Sequence, residues 1–155
     1  MSKPVPALLK HVFVDPLADL LGYQLRRASQ TLMAGLTRDL SELALSVVEV
    51  SVLLVVKAHP GITQSEIGRL LDIQRANMVP LAAKLFARRL ILKESAGGRA
   101  ILLTLTATGE EAVRTARRAI ARHEARILPE LGERERRQLA SWLAAIWTTS
   151  ESKEG

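Results

Sequence analysis

The residues best equipped to read another molecule are the consecutive Gln74, Arg75, Ala76 and Asn77. An arginine offers two parallel N–H donors that match guanine O6 and N7, and asparagine or glutamine pairs a donor with an acceptor to match adenine N6 and N7. Ala76 between them is small enough to let a backbone come close. No set of comparable density points to catalysis. The three histidines, His11, His59 and His123, are scattered, and no two stand at metal-ligand spacing. Arg122-His123-Glu124 reads as the solvated face of a long helix. The absence of cysteine excludes disulfides, thiol redox sensing and thiolate metal sites. Gly97-Gly98 is followed by no helix start of the kind a phosphate-cradling loop requires. These features imply a binding protein rather than an enzyme, with no cofactor and no metal.

For such side chains to act together, a helix must carry them on its first turn and a second helix must brace it. Thr63-Gln64-Ser65-Glu66 has the form of a capping box, in which a hydroxyl and a carboxylate each satisfy an unpaired helix N–H. Ile67, Leu70 and Leu71 follow at helical spacing, Asp72-Ile73-Gln74 interrupts, and Met78, Leu81, Ala82 and Leu85 restart the stripe. A short helix, a tight turn and a second helix make a helix-turn-helix. Gln74 then falls at the N-cap, and Arg75, Ala76 and Asn77 form the first turn, the part of a recognition helix that points at base edges. Pro80 lies well inside the second helix, where it removes a backbone donor and bends the axis; curvature along a groove and an accident of packing both fit.

After Arg89 the periodicity changes. Residues 90–92 and 100–105 are β-compatible runs, and Ala96-Gly97-Gly98 between them supplies the freedom of a hairpin reversal. Lys93 and Arg99 flank that reversal, placed to meet phosphates or simply to keep a surface hairpin soluble. Arg69, Arg75, Lys84, Arg88, Arg89, Lys93 and Arg99 gather in this region against Glu66, Asp72 and Glu94. The whole chain carries 22 basic and 16 acidic residues, net +6, which suits a polyanionic partner.

The residues from Gly61 to Thr106 resemble the winged helix-turn-helix of the MarR (multiple antibiotic resistance) family of transcriptional regulators, and the resemblance extends over about residues 16 to 148. Its most specific part is residues 71–85, similar to the family's turn and recognition helix position by position. Pro60 to Ile67 upstream and Leu105-Thr106-Ala107-Thr108-Gly109 downstream support it. The chain departs from the family in two places. Gly97-Gly98-Arg99 stands where the family usually carries Asp-Arg-Arg, leaving Arg99 without the aspartate that braces it. Arg89 stands where a glycine commonly closes the recognition helix, so the exit is expected to be built differently. The resemblance implies a mainly α fold with a small β-hairpin wing and a dimer with interleaved terminal helices. The expected DNA contacts are Thr63, Gln64, Gln74, Arg75, Ala76, Asn77, Lys84, Lys93 and Arg99. It further implies a small aromatic or amphipathic effector bordered by His11, Tyr23 and Arg26, with Arg26 facing a carboxylate.

The rest of the chain reads as helices. Residues 16–36 place Leu17, Leu20, Leu21, Leu25, Ala28, Leu32 and Leu36 on one face, with Pro16 as a first helical residue. Ser46 caps a helix that carries Val50, Leu53, Leu54 and Val56 and stops at His59-Pro60-Gly61. Thr106 or Thr108 opens a long helix to Leu128, and residues 133–149 form a last one bearing Leu139, Trp142, Leu143, Ile146 and Trp147. We expect one domain over residues 1–155, with the winged head at 44–106 and dimerisation helices at 16–38 and 107–149. The terminal helices are too apolar to stand free, and burial across a two-fold axis gives a homodimer suited to a palindromic operator. The tryptophans are expected as packing anchors. Met1 to Lys10 lacks the charged-then-apolar order of a signal peptide, and no apolar run reaches membrane-span length, so a cytoplasmic location is expected. The alternative is a winged helix that docks a protein without reading DNA.

Overall fold

The computed structural model describes residues 15–95 and 101–151. His11 and the wing tip with Gly97, Gly98 and Arg99 lie outside them. The elements run α1 (Leu21–Asp39), a 3-10 turn (Ser41–Leu43), α2 (Val47–Ala58), β1 (Ile62–Thr63), α3 (Gln64–Leu70), α4 (Arg75–Ala87), β2 (Ile91–Ser95), β3 (Ile101–Leu105), α5 (Ala107–Ile127) and α6 (Glu133–Glu151). This is the expected mainly α fold with a wing.

Three hydroxyl caps set the helix starts that matter. At α2, Glu49 N–H donates to Ser46 Oγ at 3.2 Å while Ser46 N–H donates to Glu49 Oε2 at 2.7 Å. At α3, Thr63 and Glu66 make the same reciprocal pair at 3.3 and 2.8 Å. At α5, Thr106 Oγ1 accepts from Gly109 N–H at 2.9 Å and donates to Arg89 O at 2.6 Å, tying the helix to the end of the recognition segment. Gly109 is required here: a Cβ on it would lie 2.0 Å from the Leu90 carbonyl oxygen, so only glycine lets α5 rest on that backbone.

The strands form an antiparallel sheet in the order β1-β3-β2, with Lys93 opposite Leu103 and Ile62 opposite Leu103 on the other side. The two-residue β1 was not expected. It is too short to show alternation and exists because β3 offers it an edge. The core beneath the sheet is Leu53, Val56, Ile67, Met78, Leu85, Ile91 and Leu103, all fully buried. It joins α2, α3, α4 and the wing into one body.

Two sequence expectations need correction. Helix α1 begins at Leu21, not Pro16, because Asp15 captures the backbone first: Leu17 N–H donates to its Oδ1 at 3.0 Å and Ala18 N–H to its carbonyl at 3.2 Å. A side chain that bonds its own neighbouring amides competes with helix formation. His123 is also not on a solvated face. It is 3% exposed and lies against Gly35 of α1, where a Cβ would come within 2.5 Å of the imidazole Cε1. Its Nδ1 is 2.7 Å from Asp39 Oδ2, which also accepts from Arg126 at 2.5 Å. The Arg126 guanidinium holds the Asp39 carboxyl below its usual pKa; burial opposes it, and His123 adds a smaller lowering. Arg122 and Glu124 remain exposed as expected.

Candidate nucleic-acid interface

The turn of the helix-turn-helix is made by Asp72, which takes φ +50°. Ile73 N–H then reaches back to Gly68 O at 2.8 Å, closing α3 and aiming the chain into α4. Asparagine and aspartate adopt this left-handed conformation more readily than bulky residues. The turn therefore fits Asp72.

Helix α4 buries Met78, Ala82 and Leu85, which fixes its rotation and turns its first-turn side chains away from the core. Gln74 occupies the N-cap without spending its side chain on capping. Arg75, Ala76 and Asn77 are exposed. Among the described residues, none of the side chains of Gln64, Gln74, Arg75 and Asn77 makes an intramolecular hydrogen bond or ion pair, so their donors and acceptors remain available. Pro80 lies inside α4, leaving the Ala76 carbonyl without its usual helical partner.

A concavity of about 810 Å³ opens between α3, the start of α4 and the wing. Thr63, Gln64, Gln74, Arg75 and Lys93 all line it. Thr63 reaches it although its hydroxyl also bonds Glu66 Oε2 at 2.6 Å. The Lys93 ammonium stands 4.9 Å from the Phe86 ring centroid, a cation–π contact that holds the long side chain over the recognition helix. Five of the expected contacts, Thr63, Gln64, Gln74, Arg75 and Lys93, thus share this concavity, while Ala76 and Asn77 are exposed on the first turn of α4 but do not line it.

Lys84 does not join them. Its ammonium is 2.8 Å from Oε1 of Glu49, whose side chain is 2% exposed, as a close ion pair rather than a well-aligned hydrogen bond. Burial alone pushes the Glu49 pKa up; Lys84 and the Ser46 amide and hydroxyl more than offset this and leave it below its ordinary value. We assign Lys84 a structural role in place of the expected DNA contact, because a buried carboxylate is costly without its cation. Arg88 is likewise turned inward, donating to Ala44 O at 2.6 Å and Leu43 O at 2.9 Å. Sequence position places both cations in the head, but their partners lie some forty residues away, out of reach of any local pattern.

The expected effector residues are engaged locally. Tyr23 donates to Asp15 Oδ2 at 3.0 Å, and the Arg26 guanidinium lies 5.3 Å from the Tyr23 ring centroid. Neither lines the concavity above, nor a smaller one of about 180 Å³ bounded by Arg38, Asp39, Ser41, Glu42, Arg122 and Arg126. Among the described residues no group of three or more His, Asp or Glu could hold a metal ion, and no helix is long and apolar enough to cross a membrane.

Fold and site together define a winged helix-turn-helix protein with long helices at both ends. The MarR family model matches residues 45–100. The chain is similar to the transcriptional repressor CouR bound to a 23-mer DNA duplex, with 35% identity over 84% of this chain and 94% of that one and a TM-score of 0.79. It is also similar to CouR bound to p-coumaroyl-CoA, at 32% identity over 93% and 99% of the two chains with a TM-score of 0.76. A Mycobacterium tuberculosis MarR family protein in complex with salicylic acid matches at 26% identity over 81% and 95%, with a TM-score of 0.65. No curated protein matches the chain significantly. The chain belongs to the MarR family of transcriptional regulators.

Proposed function

We propose that this protein is a homodimeric, sequence-specific DNA-binding regulator that sits on a palindromic operator in the cytoplasm and is released by a small aromatic or amphipathic ligand. The observation that carries the DNA reading is the set of free, exposed side chains Gln74, Arg75 and Asn77 on the first turn of α4, beside a concavity walled by Lys93. Arg75 is suited to guanine, Asn77 or Gln74 to adenine. Thr63, Gln64, Lys93 and Arg99 serve as backbone contacts that set register.

Dimerisation is supported by α1 and α6, in which no described residue is buried. Leu20, Leu21, Trp142 and Ile146 are each more than half exposed, an arrangement that a second copy relieves. The ligand class is supported by the p-coumaroyl-CoA and salicylic acid bound by related proteins. Tyr23, Arg26 and His11 are the residues we assign to it, with Arg26 pairing with an acid. Residues 44–106 act as the reading head, with 16–38 and 107–149 as the dimerisation parts.

The test is a titration of Asn77→Ala against operator and scrambled duplexes. The variant should lose about 1 to 3 kcal/mol of discrimination at one position per half-site, while its affinity for scrambled DNA is retained. A wild-type ratio of specific to random binding removes Asn77 from the reading set. A wild-type protein with no duplex preference at all favours a protein-docking winged helix instead.

A further inference from the structure

Beyond its first turn, the outward face of α4 is apolar. Ala76, Val79, Pro80 and Ala83 stand at the i, i+3, i+4, i+7 spacing of one helical stripe, and all four are exposed, Val79 by 55%. The core-facing stripe of Met78, Ala82 and Leu85 occupies another side. Helix α4 therefore carries two apolar stripes, only one of them buried. A single exposed valine is ordinary on a protein surface, but a contiguous apolar stripe is a surface to be covered. Its frame indicates what covers it. Arg69, Arg75 and Lys93 line the same concavity as Val79, with Asp72 as the one acidic residue there among those described. That charge suits a phosphate-lined groove, and the apolar group displayed in a major groove is the 5-methyl of thymine.

We propose that Val79 is a specificity-determining residue that packs against a thymine 5-methyl group in each half-site, so that part of the protein's sequence preference is a preference for a methyl. The inference rests on α4 being the recognition helix. Val79 follows Arg75 by four residues and lines the concavity with it, so the two occupy one flank of the helix. Arg75 is the polar reader on that flank and Val79 the apolar one, a turn deeper into the helix.

Duplexes enriched from a random-sequence pool by the full-length protein supply the probe. Each thymine is then replaced singly by deoxyuridine, which removes the methyl and leaves the hydrogen-bonding edge intact. One position per half-site should lose affinity about three- to fivefold, the effect of leaving one methyl-sized group unburied. Val79→Ala should bind the uracil and thymine versions of that site alike, and thermal unfolding should match wild type because the side chain is exposed. The wild-type comparison stands even for an unstable variant. Indifference to uracil at every position, or equal discrimination by wild type and Val79→Ala, overturns the inference while leaving DNA binding intact, and assigns the stripe to a protein partner. A pool that yields no enriched duplex overturns the reading of α4 and this inference with it.

Discussion

The winged head and the terminal helices both carry apolar stripes at helical spacing, yet they dispose of them in opposite ways. In the head, Leu53, Ile67, Met78, Leu85 and Leu103 are fully buried against one another within a single chain. Along α1 and α6 no described residue is buried, and Leu21 and Trp142 are 80% and 62% exposed. An apolar stripe states that a face is to be covered; it does not state by what. The head closes on itself because three helices and a sheet converge there. Helix α1 rests on α5 along one side, where Gly35 meets His123, but its remaining apolar surface and that of α6 stay exposed, and the gain of burying them, about 25 cal/mol per Å², is left to a partner.

The most direct way to break this contrast is Trp142→Ala. A large aromatic on an interface helix is a typical energetic anchor, so in the dimer we propose its removal should cost at least about 2 kcal/mol of association, or about thirtyfold in the dissociation constant. Sedimentation equilibrium measures it. The head, whose core contains no residue of α6, should keep its denaturation midpoint. A wild-type monomer at micromolar concentration, or an unchanged dissociation constant in the variant, would show that the ends are covered by something other than a second copy.

The second prediction concerns the charge that holds the head together. Lys84→Met leaves Glu49 buried beside the α2 cap with its ammonium partner gone. Since Lys84 is more than half exposed, the cost is set well below that of a fully buried pair, at about 1 to 2 kcal/mol at pH 7. The Glu49 pKa is depressed in the folded protein, so the pair contributes above the unfolded carboxyl value and its contribution is lost as pH falls through the lower folded value. The stability gap between variant and wild type should therefore narrow in acid, below about pH 4. The salt dependence of DNA affinity should not change. A slope reduced by about one unit would return Lys84 to the phosphate contacts.

What the sequence made legible follows the same division. The cap at Ser46, the capping box at Thr63, the break at Asp72 and the restart at Met78 are local patterns, and the structure bears them out. The placement of Lys84 and Arg88 depends on partners from a distant element, which no spacing within α4 encodes. His123 is a different case. Ala112, Ala116, Ala119 and His123 are spaced by four, three and four residues, and all are buried on α5, so the stripe did contain the signal. It was overridden by the charged neighbours Arg122 and Glu124, which a helix puts on other faces. The wing's third strand was beyond reading because a two-residue run has no period.

The smallest effect expected is also the one that tests a mismatch between residue and backbone. Arg89 was expected to force a different exit from the recognition helix because glycine is usual there. The structure keeps the same exit and makes arginine adopt it: φ is +56°, Leu90 N–H bonds Leu85 O at 3.0 Å and Arg89 N–H bonds Phe86 O at 2.8 Å, a complete Schellman closure. A residue with a Cβ in this left-handed region is strained by about 1 to 2 kcal/mol. Glycine removes that strain but gains freedom in the unfolded chain, worth about 0.4 to 1 kcal/mol in the other direction. Arg89→Gly should accordingly stabilise the head by about 0.5 to 1 kcal/mol net, read as a raised denaturation midpoint with an unchanged m-value. The side chain is exposed, and its guanidinium makes no ion pair among the described residues. If the variant gains stability but loses DNA affinity, the arginine is held in a strained conformation for the sake of a phosphate; if it loses stability, the guanidinium supports the head through a contact that outweighs the strain.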